Sequence, residues 1–262
     1  MLVLSLCTVR IMKHISKIAF LFSSFGLIYA GCSSSTSNPP PVTPSQVHYA
    51  AGSDYRYTQN RRDTSGGAFG NDGVDPTKAD TITSVVLATN QTFQFDTSDV
   101  TIIQNTHTSS VTGAQKDTTD IAQENGNYWH YNYGLEGLSS VLAEPVGWVL
   151  QAKFGAKPGD TWVAVHNNAV KTKYQVNADV LINALEMNDT TISGIAVKHV
   201  QHSVTISAVG QTIAGTIDTY VSPEFGMVRN TVHSSRVAIN LPSIISVNQQ
   251  VSGSETVMVS HP

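Results

Sequence analysis

The sequence is short of charge and nearly without cysteine. Only 13% of its 262 residues are Asp, Glu, Lys or Arg, about half the share of roughly a quarter usual in globular chains. That shortage excludes a coiled coil, an acidic disordered tail and a basic nucleic-acid-binding face. Cysteine occurs at Cys7 and Cys32 and nowhere beyond, so disulfide staples, cysteine metal sites and thiol catalysis are excluded from everything after Cys32. Familiar catalytic signatures are missing as well: there is no G-x-S-x-G elbow, P-loop, dinucleotide G-x-G-x-x-G or H-E-x-x-H. Thr, Ser, Asn and Gln take the place of charge, together with 19 Gly, and hydrophobic residues at 40% suffice for a core. That profile suits an extracytoplasmic β-protein of one domain or a small pair.

The N-terminus carries the sharpest signal. From Met12 the chain reads MKHISK, then an apolar stretch from Ile18 to Ala30, then Gly31-Cys32-Ser33. Lys13 and Lys17 form a basic n-region, the apolar stretch is too short to span a membrane as a helix of about 20 residues, and small residues follow. This is the grammar of a secretory signal. Residues 1–11 fit badly in front of it, which makes Met12 the expected start. Removing residues 1–31, which hold three of the 15 basic groups and none of the 19 acidic ones, takes the formal net charge from −4 to −7. A nucleic-acid partner is not expected.

Tyr29-Ala30-Gly31-Cys32 resembles the lipobox of a bacterial lipoprotein signal peptide, with Tyr29 standing where the family carries a Leu-like residue. The resemblance implies that the Cys32 thiol receives a diacylglycerol, that cleavage falls just before it, and that the new amine is acylated. Two or three acyl chains hold a protein at a membrane almost permanently, since each buried methylene contributes about 0.8 kcal/mol. The expected address is the cell envelope, at the outer membrane.

Residues 32–48 read as a Ser/Pro-rich tether with a proline triplet at 39–41. The acids at 63, 72, 75 and 80 within a Gly-rich run miss the EF-hand spacing, so that stretch reads as a solvated loop and no metal is expected. From Tyr49 to the C-terminus the pattern is one β-rich domain. Between Lys173 and Ala184, Tyr174, Val176, Ala178, Val180, Ile182 and Ala184 alternate with polar residues, giving one buried and one wet face. Ile195 and Val197 start a further strand, but Val200, Val204 and Ile206 continue in the opposite phase, which predicts a bulge near Lys198-His199. Turns are expected at Val209-Gly210 and at Ser222–Gly226, and Val237, Ile239, Leu241, Val247, Val251, Val257 and Val259 continue the alternation. Strands of about twelve residues exceed the usual five or six. A long-stranded, curved antiparallel meander is therefore expected, with one short helix over Leu135–Ala143 closed by Pro145.

Lys157–Trp162, KPGDTW, and Asp218–Arg229, DTYVSPEFGMVR, resemble recurrent motifs of bacterial lipoproteins. Their domains are similar to the half-barrel of LolA/LolB-like lipoprotein carriers. The resemblance implies that fold over roughly Val146 to His233 and brings no catalytic residues with it.

Chemistry is sparse. His199 and His202 fall on opposite faces of a strand, His233 has no orienting acid in its own sequence neighbourhood, and Glu124, Glu136, Glu144, Glu186 and Glu224 are scattered. Asp80-Thr81-Ile82, Asp117-Thr118-Thr119 and Asp189-Thr190-Thr191 resemble the short O-glycosylation acceptor motif of exported Bacteroidetes proteins. The most suggestive cluster runs from Tyr128 to Tyr133: Trp129, Tyr131 and Tyr133 share one face of a strand, with Tyr128, His130 and Asn132 on the other. An aromatic row with polar tips stacks on a sugar or lines a lipid cavity, and equally packs across a wide sheet. Trp129, Tyr131 and Tyr133 are the candidate ligand-binding residues. The expected role is non-enzymatic binding of an apolar or glycan ligand in the concave face, with no cofactor. The alternative is a structural or assembly lipoprotein that binds another envelope protein.

Replacing Cys32 by Ser is expected to move the mature chain from the membrane to the soluble fraction. Retention on membranes after a carbonate wash would contradict the lipid anchor.

Overall fold

The computed structural model describes residues 46–62, 79–92, 100–109, 113–131, 142–173, 175–233, 235–241, 245–251 and 253–262, with backbone alone over 235–251. The signal, the lipobox with Cys32 and most of the tether lie outside the described residues, as does Tyr133.

Alternation becomes strand almost wherever the sequence shows it. Fifteen strands occur among the described residues: β1 (Asp54–Arg62), β2 (Asp80–Gln91), β3 (Val100–Ser109), β4 (Gly113–Glu124), β5 (Asn127–Tyr131), β6 (Trp148–Lys153), β7 (Thr161–Lys171), β8 (Asn177–Glu186), β9 (Thr190–Ile192), β10 (Ile195–Ala208), β11 (Gln211–Ser222), β12 (Gly226–Val232), β13 (Ser235–Leu241), β14 (Ile245–Val251) and β15 (Gly253–Ser260). Strands β1 to β6 make one antiparallel meander; β7, β8, β10, β11 and β12 make a second, with β9 as a short flap on β10. The last strand, β15, lies between β1 and β12 and joins the two meanders into one sheet. β13 and β14 form a separate hairpin. The sheet curls until its first and last strands touch, β6 against β7, without a backbone ladder between them. The result is a mainly β, long-stranded, curved antiparallel sheet, nearly closed into a barrel.

The expected alternation over Lys173–Ala184 begins late. The strand starts at Asn177 because the chain turns back just before it, with the Thr172 amide donating to the Val176 carbonyl at 3.0 Å. From there Ala178, Val180, Ile182 and Ala184 are buried and Asn177, Asp179 and Asn183 exposed. The phase slip in β10 is where the sequence puts it, with Val197 and Lys198 buried in succession, but the expected bulge is absent: Lys198 and His199 pair in regular register with β11. There β10 changes partner, from β9 along Ile195–Val197 to β8 from Val200 on. In β15 the phase is opposite to the one expected from its valines. Met258 and Thr256 are buried while Val259 is exposed, because pairing with β1 and β12 sets the register. The helix expected over Leu135–Ala143 lies outside the described residues except for its end. There Leu142 makes a β-bridge to Thr172, and the Ala143 amide donates to Lys171 rather than back along a helix.

Among the described residues, three two-residue hairpins have both central residues at positive φ: Asn125-Gly126, Ser193-Gly194 and Val209-Gly210. This conformation matches the twist of the flanking strands and suits Asn or Gly. Ser193 and Val209 depart from this, and Val209 is the costlier, a β-branched residue at φ 49° whose side chain is exposed. It loses the conformational preference and gains no burial. Val209→Asn is expected to stabilise the domain by ~1 kcal/mol, read as a melting temperature higher by about 2–4 °C; a lower one would contradict the assigned turn.

Candidate functional site

The site begins with a strap. Gln123 is buried at the end of β4 and binds the main chain of Val47 in both directions, accepting from its amide at 2.6 Å and donating to its carbonyl at 2.9 Å. A side-chain amide here imitates a rung of a β-ladder. Val47, inside the stretch read as tether, joins the core. Two residues on, Tyr49 reaches over the inner face of the sheet, its hydroxyl 2.9 Å from that of Tyr128 and its ring edge-on to Tyr55 at 5.8 Å. Gly226 makes room for it. A Cβ there would sit 2.0 Å from the Tyr49 hydroxyl, and φ is +75°, so glycine is required twice over.

Below this strap lies a cavity of about 80 Å³, room for roughly half a dozen waters at 10–15 Å³ each. Tyr49, Tyr55, Tyr57 and Tyr128 supply its aromatic surface, Ile82, Ile103, Ile121 and Met227 its aliphatic wall. The remaining lining residues are polar and carry no fixed charge: Gln59, Ser84, Asn105, His107, Thr119, His130, Asn230 and Thr256. Several are already wired into rungs across the strands. Ser84 donates to the Asn105 carbonyl oxygen at 2.7 Å, the Asn105 amide donates to Thr119 at 2.8 Å, and the Gln59 amide donates to Thr256 at 3.1 Å. Burial pushes the phenols of Tyr49, Tyr57 and Tyr128 above their ordinary range, keeping them neutral donors. Burial likewise pushes His130 down to about 4, and the Gln151 amide meets its Nδ1 at 3.1 Å. The imidazole is therefore neutral at physiological pH.

Trp129 and Tyr131 face away from this cavity. Alternation on β5 sends Tyr128 and His130 inward, and it is this second row that lines the cavity. Trp129 is half-buried against the core, and Tyr131 packs edge-on to Trp148 at 5.4 Å. Tyr133 lies outside the described residues. The sequence identifies the aromatic strand; the inward row is set by the sheet's curvature.

The two lipoprotein-like motifs hold the barrel's shape. In KPGDTW, the Lys157 amide donates to the Asp160 carboxylate at 2.8 Å, while Gly159 and Asp160 exchange backbone hydrogen bonds with Glu186 at the end of β8. Trp162 then turns its indole to the Leu150 carbonyl on β6 at 3.0 Å. His202, fully buried on β10, reaches the backbone of Leu150 and Gln151 on the same strand. Burial lowers its pKa to about 4, against these bonds. In DTYVSPEFGMVR, the Ser222 hydroxyl accepts from the Glu224 amide at 3.1 Å, and Gly226 opens the space for Tyr49.

His199 and His202 do lie on opposite faces. On the outer face the structure makes a contact the sequence did not announce: Asp218 receives His199 Nε2 at 3.0 Å and His233 Nε2 at 2.6 Å, with Gln201 at 3.3 Å. His233 thus has an orienting acid, fifteen residues away in sequence. The His199 bond is the largest cause holding the Asp218 carboxyl down at about 2, with partial burial opposing and His233 assisting. Tyr220 stacks on His199 with ring centroids 4.3 Å apart, and the Arg229 guanidinium lies over the Tyr220 ring, 5.6 Å from its centroid. Only knowledge of the strand register, which sets Gln201 opposite Asp218, would have revealed this group. Among the described residues no cluster of His, Cys, Asp and Glu is arranged to hold a metal ion.

No protein-family model and no curated protein matches the sequence. Among solved structures, the chain resembles a candidate lipoprotein from Parabacteroides distasonis, at 13% identity and a TM-score of 0.50, over 84% of this chain and 99% of that one. It is also similar to a candidate exported protein with a YmcC-like fold from Bacteroides fragilis, at 11% identity and a TM-score of 0.47, over 83% and 99% of the two chains. The first of these likenesses establishes a shared fold.

The buried histidines give the fold an acid limit. His202 has a folded-state value of about 4 against an ordinary 6.5. The unfolded chain therefore binds the proton first. Its contribution is full above pH 6.5 and is lost as the pH falls toward 4, by about 2–3 kcal/mol. Thermal melts across that window are expected to fall less steeply for His202→Gln than for the parent; parallel slopes would show that His202 is not the titrating group.

Proposed function

We propose that this chain is a cell-envelope lipoprotein whose barrel-like domain binds a neutral, hydroxyl-rich ligand, a glycan, in the tyrosine-lined cavity, without transforming it. The observation that carries the reading is the lining itself: four tyrosines and an isoleucine wall alternate with amide and hydroxyl rungs, and no Lys, Arg, Asp or Glu takes part. A sugar ring has the same division, with apolar C–H faces and a hydroxyl rim. Aromatic faces stack on the first, and convergent amides and hydroxyls match the second. An acyl chain would cover the part-exposed amides of Asn105, Gln59 and Asn230 and offer them no hydrogen bond in place of water, which is costly. A charged ligand would find no counter-ion. The envelope address rests on the signal and lipobox of residues 12–32 and is supported by the fold shared with a candidate lipoprotein. Binding rather than catalysis is supported by the lining's lack of a carboxylate and by a His130 kept neutral at physiological pH.

The alternative, an assembly factor for another envelope protein, draws less support. The exposed large apolar side chains Leu87, Val163, Val209 and Val259 are spread over β2, β7, the β10–β11 turn and β15.

Calorimetric titration of the purified protein with neutral oligosaccharides from envelope glycans is expected to show binding. Asn105→Leu should weaken it about tenfold or more, since the ligand hydroxyls and Thr119 then lose a partner. Binding of fatty acids with no response to glycans would overturn the glycan reading.

A further inference from the structure

The chain has no cysteine with which to staple its β-domain, yet it places a lysine, an aspartate and a glutamate together out of water. Lys198 lies at the phase slip of β10, its side chain 3% exposed. Its Nζ is 3.0 and 3.2 Å from the two carboxylate oxygens of Asp189, 3.4 Å from Glu186 Oε1, and 2.7 Å from the Ala156 carbonyl. Glu186 is wholly buried, and neither of its oxygens has a hydrogen bond of good geometry among the described residues. An ion pair needs only two of these three side chains.

We propose that Lys198 and Asp189 join in an intramolecular isopeptide bond, with Glu186 as the positioning acid that relays the protons. Because Nζ is nearly equidistant from the two Asp189 oxygens, it stands on the plane that bisects the carboxyl group and contains Cγ, the atom to be attacked. Both oxygens are bonded to Cγ, so contacts of 3.0 and 3.2 Å to them hold the reacting atoms close together. Glu186 donates its proton to one Asp189 oxygen and takes one from the Nζ ammonium, whose lone pair attacks Cγ. The C–N bond forms, a second proton passes from Nζ through Glu186 to the same oxygen, and that oxygen leaves as water. Ammonium and carboxylate become amide and water, so atoms and charge balance and no co-reactant is consumed. Glu186 ends as it began.

Three features fit the product. The amide keeps one N–H, and the Ala156 carbonyl is already 2.7 Å away to receive it. A buried ammonium and a carboxylate only 15% exposed vanish, removing a desolvation cost that an ion pair only partly offsets. Burial, reinforced by Asp189 and opposed by Lys198, raises Glu186 to about 8, so it is an uncharged acid at neutral pH and able to donate. The bond would tie residue 189, just before β9, to β10 across the Ser193-Gly194 hairpin, and its N–H would hold the loop that leads into KPGDTW. It is a staple for a domain that has no disulfide.

The test is a tryptic digest of the denatured full-length protein, analysed by mass spectrometry. Trypsin cuts after Lys173, Lys198 and Arg229, and an acylated lysine resists it. The expected product is a single peptide, 174–229, lighter than its sequence by one water and uncut at Lys198. Glu186→Gln should restore both the full mass and cleavage at Lys198. Unmodified 174–198 and 199–229 peptides from the parent protein would overturn the bond and leave a buried ion pair. Water loss with Lys198 still cleaved would overturn it too, marking a succinimide at Asp189. A dehydrated, uncut peptide from Glu186→Gln would overturn the role given to Glu186.

Discussion

The hydrogen bond from the Trp162 indole to the Leu150 carbonyl, 3.0 Å long, marks the place where the sheet runs out of strands and still has to close. An edge strand exposes a row of unpaired backbone groups. Here β6 is such an edge, yet Val149, Leu150, Gln151 and Ala152 are all buried, so its polar backbone cannot simply face water. Side chains take over from the missing ladder. Trp162 from β7 and His202 from β10 reach the β6 backbone, and the roll of the whole sheet follows from meeting that need. This gives the PGDTW segment a structural meaning: a turn fixed by Asp160, followed at once by the tryptophan that seals the seam.

Closure divides the interior in two. The second meander turns Ala178, Val180, Ile182, Ala184, Val200, Val204 and Ile206 inward, and aliphatic side chains of this size interlock and fill their half. The first meander turns Tyr57, Ser84, Asn105, His107 and Thr119 inward instead. Tyrosines are long and rigid, and the amides and hydroxyls bind each other across strands, so this half stays hollow. The cavity is thus a consequence of which residues alternate inward on β1 to β5.

Much of this is legible in the sequence, since alternation reports directly on strands that have one wet face. The long strands, the slip at Val197-Lys198 and the turn at Val209-Gly210 all follow from spacing alone. What spacing does not report is which face is inside when both carry aromatics. On β5, Tyr128 and His130 compete with Trp129 and Tyr131, and the curl of the sheet, which spacing does not carry, turns Tyr128 toward Tyr49 and Gly226. The valines of β15 mislead for a similar reason: its register is dictated by β1 and β12, and Met258 fills the core. The Asp218 group is illegible because a fifteen-residue gap in sequence becomes a 2.6 Å contact only through pairing.

The low charge of the chain also acquires a spatial order. The wall formed by β1, β15, β12 and β11 is a single sheet thick, and alternation gives each strand an inner and an outer row. Inside are Gln59, Thr256 and Asn230, neutral and lining the cavity. Outside, Glu255 is held between Arg62 and Arg229, and Asp218 between His199 and His233. Exposed ion pairs taken singly contribute little. These share carboxylates that are only 10% and 15% exposed, where screening is weaker and each acid joins two neighbours at once. Scarce charge is therefore spent on bracing the outer surface of the wall whose inner surface carries none. The neutral ligand proposed for this cavity would need its amides to stay in place, and the braced strands hold them there.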